Sequence, residues 1–206
     1  MEYITASCVI RDCQVWQNGN PVLDYGRESL ADFLLAAYQQ YGAQYPKFYK
    51  MDHLSKLGWL AAEVLMGNGF RGKGYLPEEV AVVLSNASSS LDTDYRYFGS
   101  LAAVPSPALF VYTLPNIMIG EICIRHTWKG ENAFFVFESF DAGFIAGYVC
   151  ELLRQDRARA CVCGWVEVLN ERHSAALFLV EKELGELPFT AENLTAIMNM
   201  QNSRHG

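Results

Sequence analysis

Ser139 occupies the place in this sequence where a reactive group is easiest to assemble. It lies in the turn Glu138-Ser139-Phe140-Asp141, after an apolar run at 133–137 and before a helix on which Phe144, Gly147, Tyr148, Glu151 and Leu152 fall in line. A strand–turn–helix directs a side chain at a helix N-terminus, whose free N–H groups and partial positive charge stabilise an anion. A cysteine exploits that field well, because its pKa starts at about 8.5. None of the six cysteines stands in the turn. A serine hydroxyl is a weaker nucleophile and needs a positioned base. His126 and His173 are the candidates, and the sequence sets neither beside Ser139. The simpler reading is that Ser139 or Asp141 caps the helix, and Ser139 is taken as the cap. Ser139 and His126 therefore remain weak catalytic candidates.

Glu121 and Glu138 raise the question of a buried acid or base. The expectation is structural in both cases: Glu138 serves the helix dipole, and Glu121 pairs with Arg125 one turn on. Cys161 and Cys163 alternate along a strand and share one side, while Cys8 and Cys13 lack a neighbouring histidine in the sequence. Without a second ligand pair neither couple reads as a metal site, and no metal or cofactor is expected. Arg154, Arg157 and Arg159 form the densest basic cluster. They complement a helix C-terminus, or else meet an acidic protein.

The elements that must hold these residues alternate. The sequence predicts strands at 3–10, 80–84, 133–137, 159–168 and 174–180, the last antiparallel to the one before it because only a short polar turn, 170–173, intervenes. Leu30, Phe33, Leu34, Ala37, Tyr38 and Tyr41 keep helical spacing, and a second helix spans 51–66 with Gly58, Ala61 and Ala62 small in its middle. His53, one position off that face, reads as solvated. A third helix starts near Pro115, with Ile117, Gly120, Glu121 and Ile124 on one face, and a fourth follows the turn at Ser139. Gly67, Gly69, Gly72 and Gly74 make a mobile connection and not a phosphate loop, since no Gly-Lys-Ser/Thr follows. Residues 188–206 form a short helix and a tail after a domain at 1–187. Strands alternating with helices imply a mostly parallel five-stranded sheet, its last strand antiparallel, in a three-layer α/β/α sandwich.

With 206 residues, 51% of them hydrophobic, the chain can bury roughly 70% of its unfolded surface in one core. A net charge of −7 argues against nucleic acid, which needs clustered Lys and Arg. No apolar run reaches the length of a membrane span, and the first residues lack a basic-then-apolar leader, so a cytoplasmic chain with free thiols is expected.

Several stretches together resemble the β-ketoacyl synthases, condensing enzymes of the thiolase-like fold. LFVYTLPNIMIGEICIRHTWKGEN at 109–132 resembles the segment before their catalytic cysteine. Lys50-Met51-Asp52 followed by LSKLGWLAAE is similar to their KMDR-type helix. AVVLSNASSS at 81–90 resembles their VGVVxG strand and loop, and SAALFLVEK at 174–182 the strand closing their N-terminal half. The likeness covers nearly the whole chain but only that half of such an enzyme, and implies a half-thiolase-like fold. Counted from Gly130, the family's cysteine position falls on Ser139, or on Phe140 if the turn is one residue longer. The second half, with its two catalytic histidines or histidine and asparagine, is not in these residues, so the condensation mechanism does not carry over.

What the resemblance implies is a non-catalytic, chain-length-factor-like subunit in fatty-acid or polyketide-type biosynthesis. It would form a homodimer, or a heterodimer with a ketosynthase, through the strand at 133–137 and the loop at 92–107, and meet an acyl carrier protein. The alternative is an acyltransferase-type or split-ketosynthase enzyme that uses Ser139 or a half supplied by another chain.

Overall fold

The computed structural model describes residues 1–26, 29–41, 44–67, 74–102, 105–182 and 185–199. In chain order the elements are β1 (Glu2–Arg11), β2 (Gln14–Gln17), β3 (Asn20–Asp24), α1 (Leu30–Gln40), α2 (His53–Met66), β4 (Val80–Asn86), α3 (Leu91–Ser100), α4 (Pro107–Val111), α5 (Ile117–His126), β5 (Asn132–Val136), α6 (Ala142–Arg154), β6 (Ala160–Leu169), β7 (Arg172–Lys182), β8 (Leu187–Pro188) and α7 (Ala191–Asn199).

One sheet forms the middle layer, in the order β3-β2-β1-β7-β6-β4-β5, with β8 added to β1. Its central strands are buried on both faces, and alternate residues feed two cores. Val80, Val82 and Leu84 of β4 join Leu177 and Leu179 of β7 under α1, α2 and α5. Ala81 and Val83 join Phe178, Val180, Cys161 and Cys163 under α6 and α7. The two cysteines do share a face.

The α/β class and its three layers stand, but the expected sheet is amended. Among the described residues it has eight strands, of which only β4 with β5 and β4 with β6 are parallel; β6–β7, β7–β1, β1–β2, β2–β3 and β1–β8 are antiparallel. The additional strands arise from short hairpins. Asp12 and Cys13 both have positive φ, as do Asn18 and Gly19, the pattern of two-residue turns whose twist matches that of the flanking strands. Strands of four or five residues around such turns, one containing Pro21, carry too little alternation to read as strands.

α1 is capped by Ser29, which accepts from the Asp32 N–H, and buries Leu30, Phe33, Leu34, Ala37 and Tyr38 as their spacing requires. α2 is capped by Asp52. Its small middle lets α5 come close: a Cβ added at Gly58 would stand 2.3 Å from Met118 Sδ. α5 is rotated from the expected face, burying Met118, Ile119, Glu121 and Ile122 while Ile124 stays 60% exposed. α3 replaces most of the expected loop at 92–107, and α4 starts where that loop was expected to end. α3 buries Asp92 and Thr93 and leaves its apolar Tyr95 and Phe98 exposed, so the face it packs is not the one its apolar spacing marks. The glycine-rich link falls largely at 68–73, and the tail at 200–206; both lie outside the described residues. Before the tail, α7 sets Leu194 and Ile197 into the second core.

Candidate functional site

β5 ends at the sheet edge, and its direction is continued by Phe137, whose N–H donates to Asn86 O at 3.0 Å. The turn that follows is pinned by Phe140, whose ring lies 6.2 Å from Trp165 and 6.4 Å from Phe178. Asp141, not Ser139, caps α6: its Oδ1 accepts from the Phe144 N–H at 2.8 Å. The expected Ser139 cap is thus corrected by position. Ser139 stands two residues before the cap, and the carboxylate also suits the positive end of the helix better than a hydroxyl. Ser139 is exposed in an open cleft of about 880 Å³ between the turn and α7. The ionisable residues lining it, Glu138, Asp141 and Glu192, are all acids, and no histidine is among them.

His126 lies at the other end of the sheet. Past it, the Lys129 N–H donates to Pro77 O just before β4, whereas Ser139 follows the end of β4 and β5. Seven residues of strand separate these ends by roughly 20 Å. His126 is already engaged: Nε2 is 3.0 Å from Glu63 Oε1, the side chain is 5% exposed, and the ring stacks on Trp128 at 4.4 Å. Arg125 grips the same carboxylate with two bonds of 3.1 and 2.9 Å. Burial works against the charge on Glu63, but the bonds from His126 and Arg125 outweigh it and hold the carboxyl at about 2. His173 accepts from the Cys13 N–H at 3.3 Å and places Nδ1 2.9 Å from Glu171 O, fixing two hairpins to each other. Neither histidine serves Ser139.

The remaining charged candidates are also accounted for. Glu121 does not pair with Arg125, because α5 turns it inward. At 3% exposure it accepts from Tyr112 Oη at 3.0 Å and meets Lys47 Nζ at 2.8 Å. Burial first, then Glu121, pushes the Tyr112 hydroxyl well above its ordinary pKa. Glu138 is exposed. His53, expected to be solvated, is 19% exposed at the side chain and faces Asp92 at 3.9 Å. Arg154 approaches Glu2 at 3.8 Å, Arg157 pairs with Glu131, and Arg159 lies 3.5 Å from Glu79. Glu63, Lys47 and the Asp52–Thr93 bond of 2.6 Å were not legible in the sequence, since each joins elements far apart along it, and Tyr112, only nine positions from Glu121, was hidden by the rotation of α5.

The other notable feature is the β5 edge itself. Val136 is 53% exposed, and between α3 and α5 the chain exposes Tyr95, Phe98, Leu101, Phe110, Val111, Leu114 and Ile124 at 45–74%. On the opposite side of the sheet Phe135, Phe137, Phe144 and Tyr148 form one ring cluster.

Sheet order, layers and this edge define a ketosynthase-like, half-thiolase fold. The ishigamide ketosynthase/chain length factor matches 91% of the chain at a TM-score of 0.65 and 18% identity. The structure of the ketosynthase ApeO in complex with its chain length factor ApeC, from Xenorhabdus doucetiae, matches 98% at 0.60 and 13%. AntDE:AntF, a type II polyketide synthase acyl carrier protein in complex with its ketosynthase bound to the hexaketide, matches 88% at 0.60 and 13%. The chain spans 64% of the matched ishigamide chain and 62% of the matched AntDE:AntF chain, but 91% of the matched chain in the ApeO–ApeC structure. No protein-family model and no curated protein matches the sequence. Among the described residues no helix is long and apolar enough to cross a membrane.

Proposed function

We propose that this chain is a non-catalytic, chain-length-factor-like subunit that pairs with a ketosynthase in polyketide-type biosynthesis. The observation that carries the reading is the β5 edge, last in the sheet order with Val136 exposed, together with an exposed Ser139 that has no base beside it. An unpaired apolar edge strand is a template for another strand. The ishigamide and ApeO–ApeC structures supply the kind of partner, being ketosynthase/chain length factor assemblies whose fold this chain shares. Of the enzyme readings, the one in which His126 activates Ser139 gains no support from the geometry, since the two residues lie at opposite ends of β4.

Coexpression with a type II ketosynthase, followed by native mass spectrometry, tests the proposal. A 1:1 complex is expected, with condensation of malonyl and acyl carrier substrates only when the ketosynthase is present. A stable monomer at micromolar concentration beside that ketosynthase, or condensation by this chain alone, would overturn it.

A further inference from the structure

Along residues 105–116 the side chains are exposed or half-buried, with one exception: Tyr112 is 7% exposed and belongs to the first core. The stretch lies between α3 and α5 and includes α4, whose five residues are too few to hold a helix in water on their own. What keeps the stretch in place is therefore largely what holds Tyr112.

That hold comes from a buried ion pair. Tyr112 Oη donates to Glu121 Oε1 at 3.0 Å, and Lys47 Nζ stands 2.8 Å from Oε2 of the same carboxylate. Glu121 is buried on α5, whereas Lys47 reaches in from a surface turn at Pro46–Lys50 with 43% of its side chain exposed. Burial and then the Glu121 charge raise the Tyr112 pKa, so the hydroxyl remains a donor. The other ties are a ring contact and neutral hydrogen bonds, which are roughly half as strong as one to a charged acceptor. Ser90 Oγ donates to Thr113 O at 2.7 Å, the Ser106 N–H to Ser100 Oγ at 3.4 Å, and the Phe110 ring lies 5.5 Å from that of Tyr97.

Two opposing effects meet at this anchor. In place, Tyr112 buries its ring and makes a bond to a charge, but it also keeps water from an ion pair, and a dry ion pair is costly. Lifted, it gives up both contacts while Glu121 gains water. The gap between the two positions is small for that reason.

We propose that residues 105–116 are a strap latched through Tyr112 to Glu121, and that Lys47 sets the strength of the latch from a separate element. Without Lys47 the buried carboxylate loses its paired cation, and lifting, which hydrates it, becomes easier. The latched position fixes Phe110, Val111 and Leu114 outward, each about half exposed. The latch stands on this geometry; its use, to offer a fixed apolar surface to the ketosynthase, rests on the subunit reading above.

The test is hydrogen–deuterium exchange of the full chain, followed by mass spectrometry. The reporters are the amides of Leu109, Phe110, Tyr112 and Thr113, each hydrogen-bonded within the strap. Tyr112→Phe keeps the ring and removes the donor, and is expected to speed their exchange about tenfold. Lys47→Met should speed it by at least about threefold. Adding Tyr112→Phe to Glu121→Gln should change it less than about twofold beyond Glu121→Gln alone, because the two residues act as one unit. Amides of β6 and β7 should keep their protection throughout. Unchanged strap exchange in Tyr112→Phe or in Lys47→Met, or an equal loss of protection in β6 and β7, would overturn the latch. If Glu121→Gln does not fold, the other two variants decide it. Native mass spectrometry with a type II ketosynthase tests the use: Tyr112→Phe should weaken pairing about fivefold, and pairing unaffected while strap exchange rises would overturn that use. A wild-type chain that pairs with no ketosynthase would overturn the subunit reading, and the exchange data alone would then decide the latch.

Discussion

At one end of the sheet, β3 reads Asn-Pro-Val-Leu-Asp, with Asp24 accepting from Gln14 Nε2 at 2.8 Å. At the other end, β5 reads Asn-Ala-Phe-Phe-Val, with neither a charge nor a proline. Pro21 removes a backbone donor from its edge, and a terminal aspartate makes a second chain unwelcome; these are the devices by which soluble proteins blunt exposed strands. β5 has none of them, and Val136 at its end is 53% exposed. An edge left bare in a chain that protects its other edge is what the proposed pairing with a ketosynthase requires.

The sharpest way to break the contrast is to transplant the guard. Val136→Lys should reduce ketosynthase association at least about a hundredfold, measured by analytical ultracentrifugation, while Val22→Lys on β3 should leave it within about twofold. Equal effects at the two edges would show that they are not specialised.

The flank must also be stiff to present that edge, and Glu63 ties α5 to α2. Glu63→Gln should lower stability by about 2 kcal/mol at neutral pH in urea unfolding, less than a fully buried pair because solvent screens part of it. Its folded-state pKa of about 2 lies below the ordinary value of 4.5. The stabilisation is therefore complete above the ordinary value, and is lost as the pH falls from there through the folded-state value. The wild-type advantage over Glu63→Gln should shrink across that window, and an advantage that persists below it would contradict the ion-pair account.

At the end of β5, Asp141→Ala should cost about 1 kcal/mol through the lost cap, and Ser139→Ala within about 0.5 kcal/mol. The reverse order in thermal unfolding would restore Ser139 as the cap. The smallest effect expected is at the guarded edge: Pro21→Val should produce only weak, concentration-dependent self-association by light scattering.

The elements legible in the sequence were those with one dominant periodicity: α1, α2, α6 and the long central strands. β2 and β3 were missed because four or five residues give no pattern to count, and α3 because what it buries is Asp92 and Thr93. For the candidate site, the strand–turn–helix around Ser139 and the absence of a cysteine could be read from spacing. The separation of His126 from Ser139 could not, because it depends on which end of the sheet each loop reaches. The same holds for the arginines: a run of like residues does not reveal that Glu2, Glu79 and Glu131 lie opposite them.

The pairing of β1 with β7 has a consequence in time. Thr5 and Glu181, 176 positions apart, share a hydrogen bond, so the middle of the sheet cannot close until the chain has left the ribosome at least as far as β7. Contacts of such separation fold slowly, because a long loop must be closed before they contribute any stability. Through that interval β5 and its aromatic neighbours are already synthesised, and neither the sheet nor a partner yet covers them. A ketosynthase made at the same moment would act on the yield of this chain before it acted on any reaction, by capturing an edge that aggregation would otherwise consume.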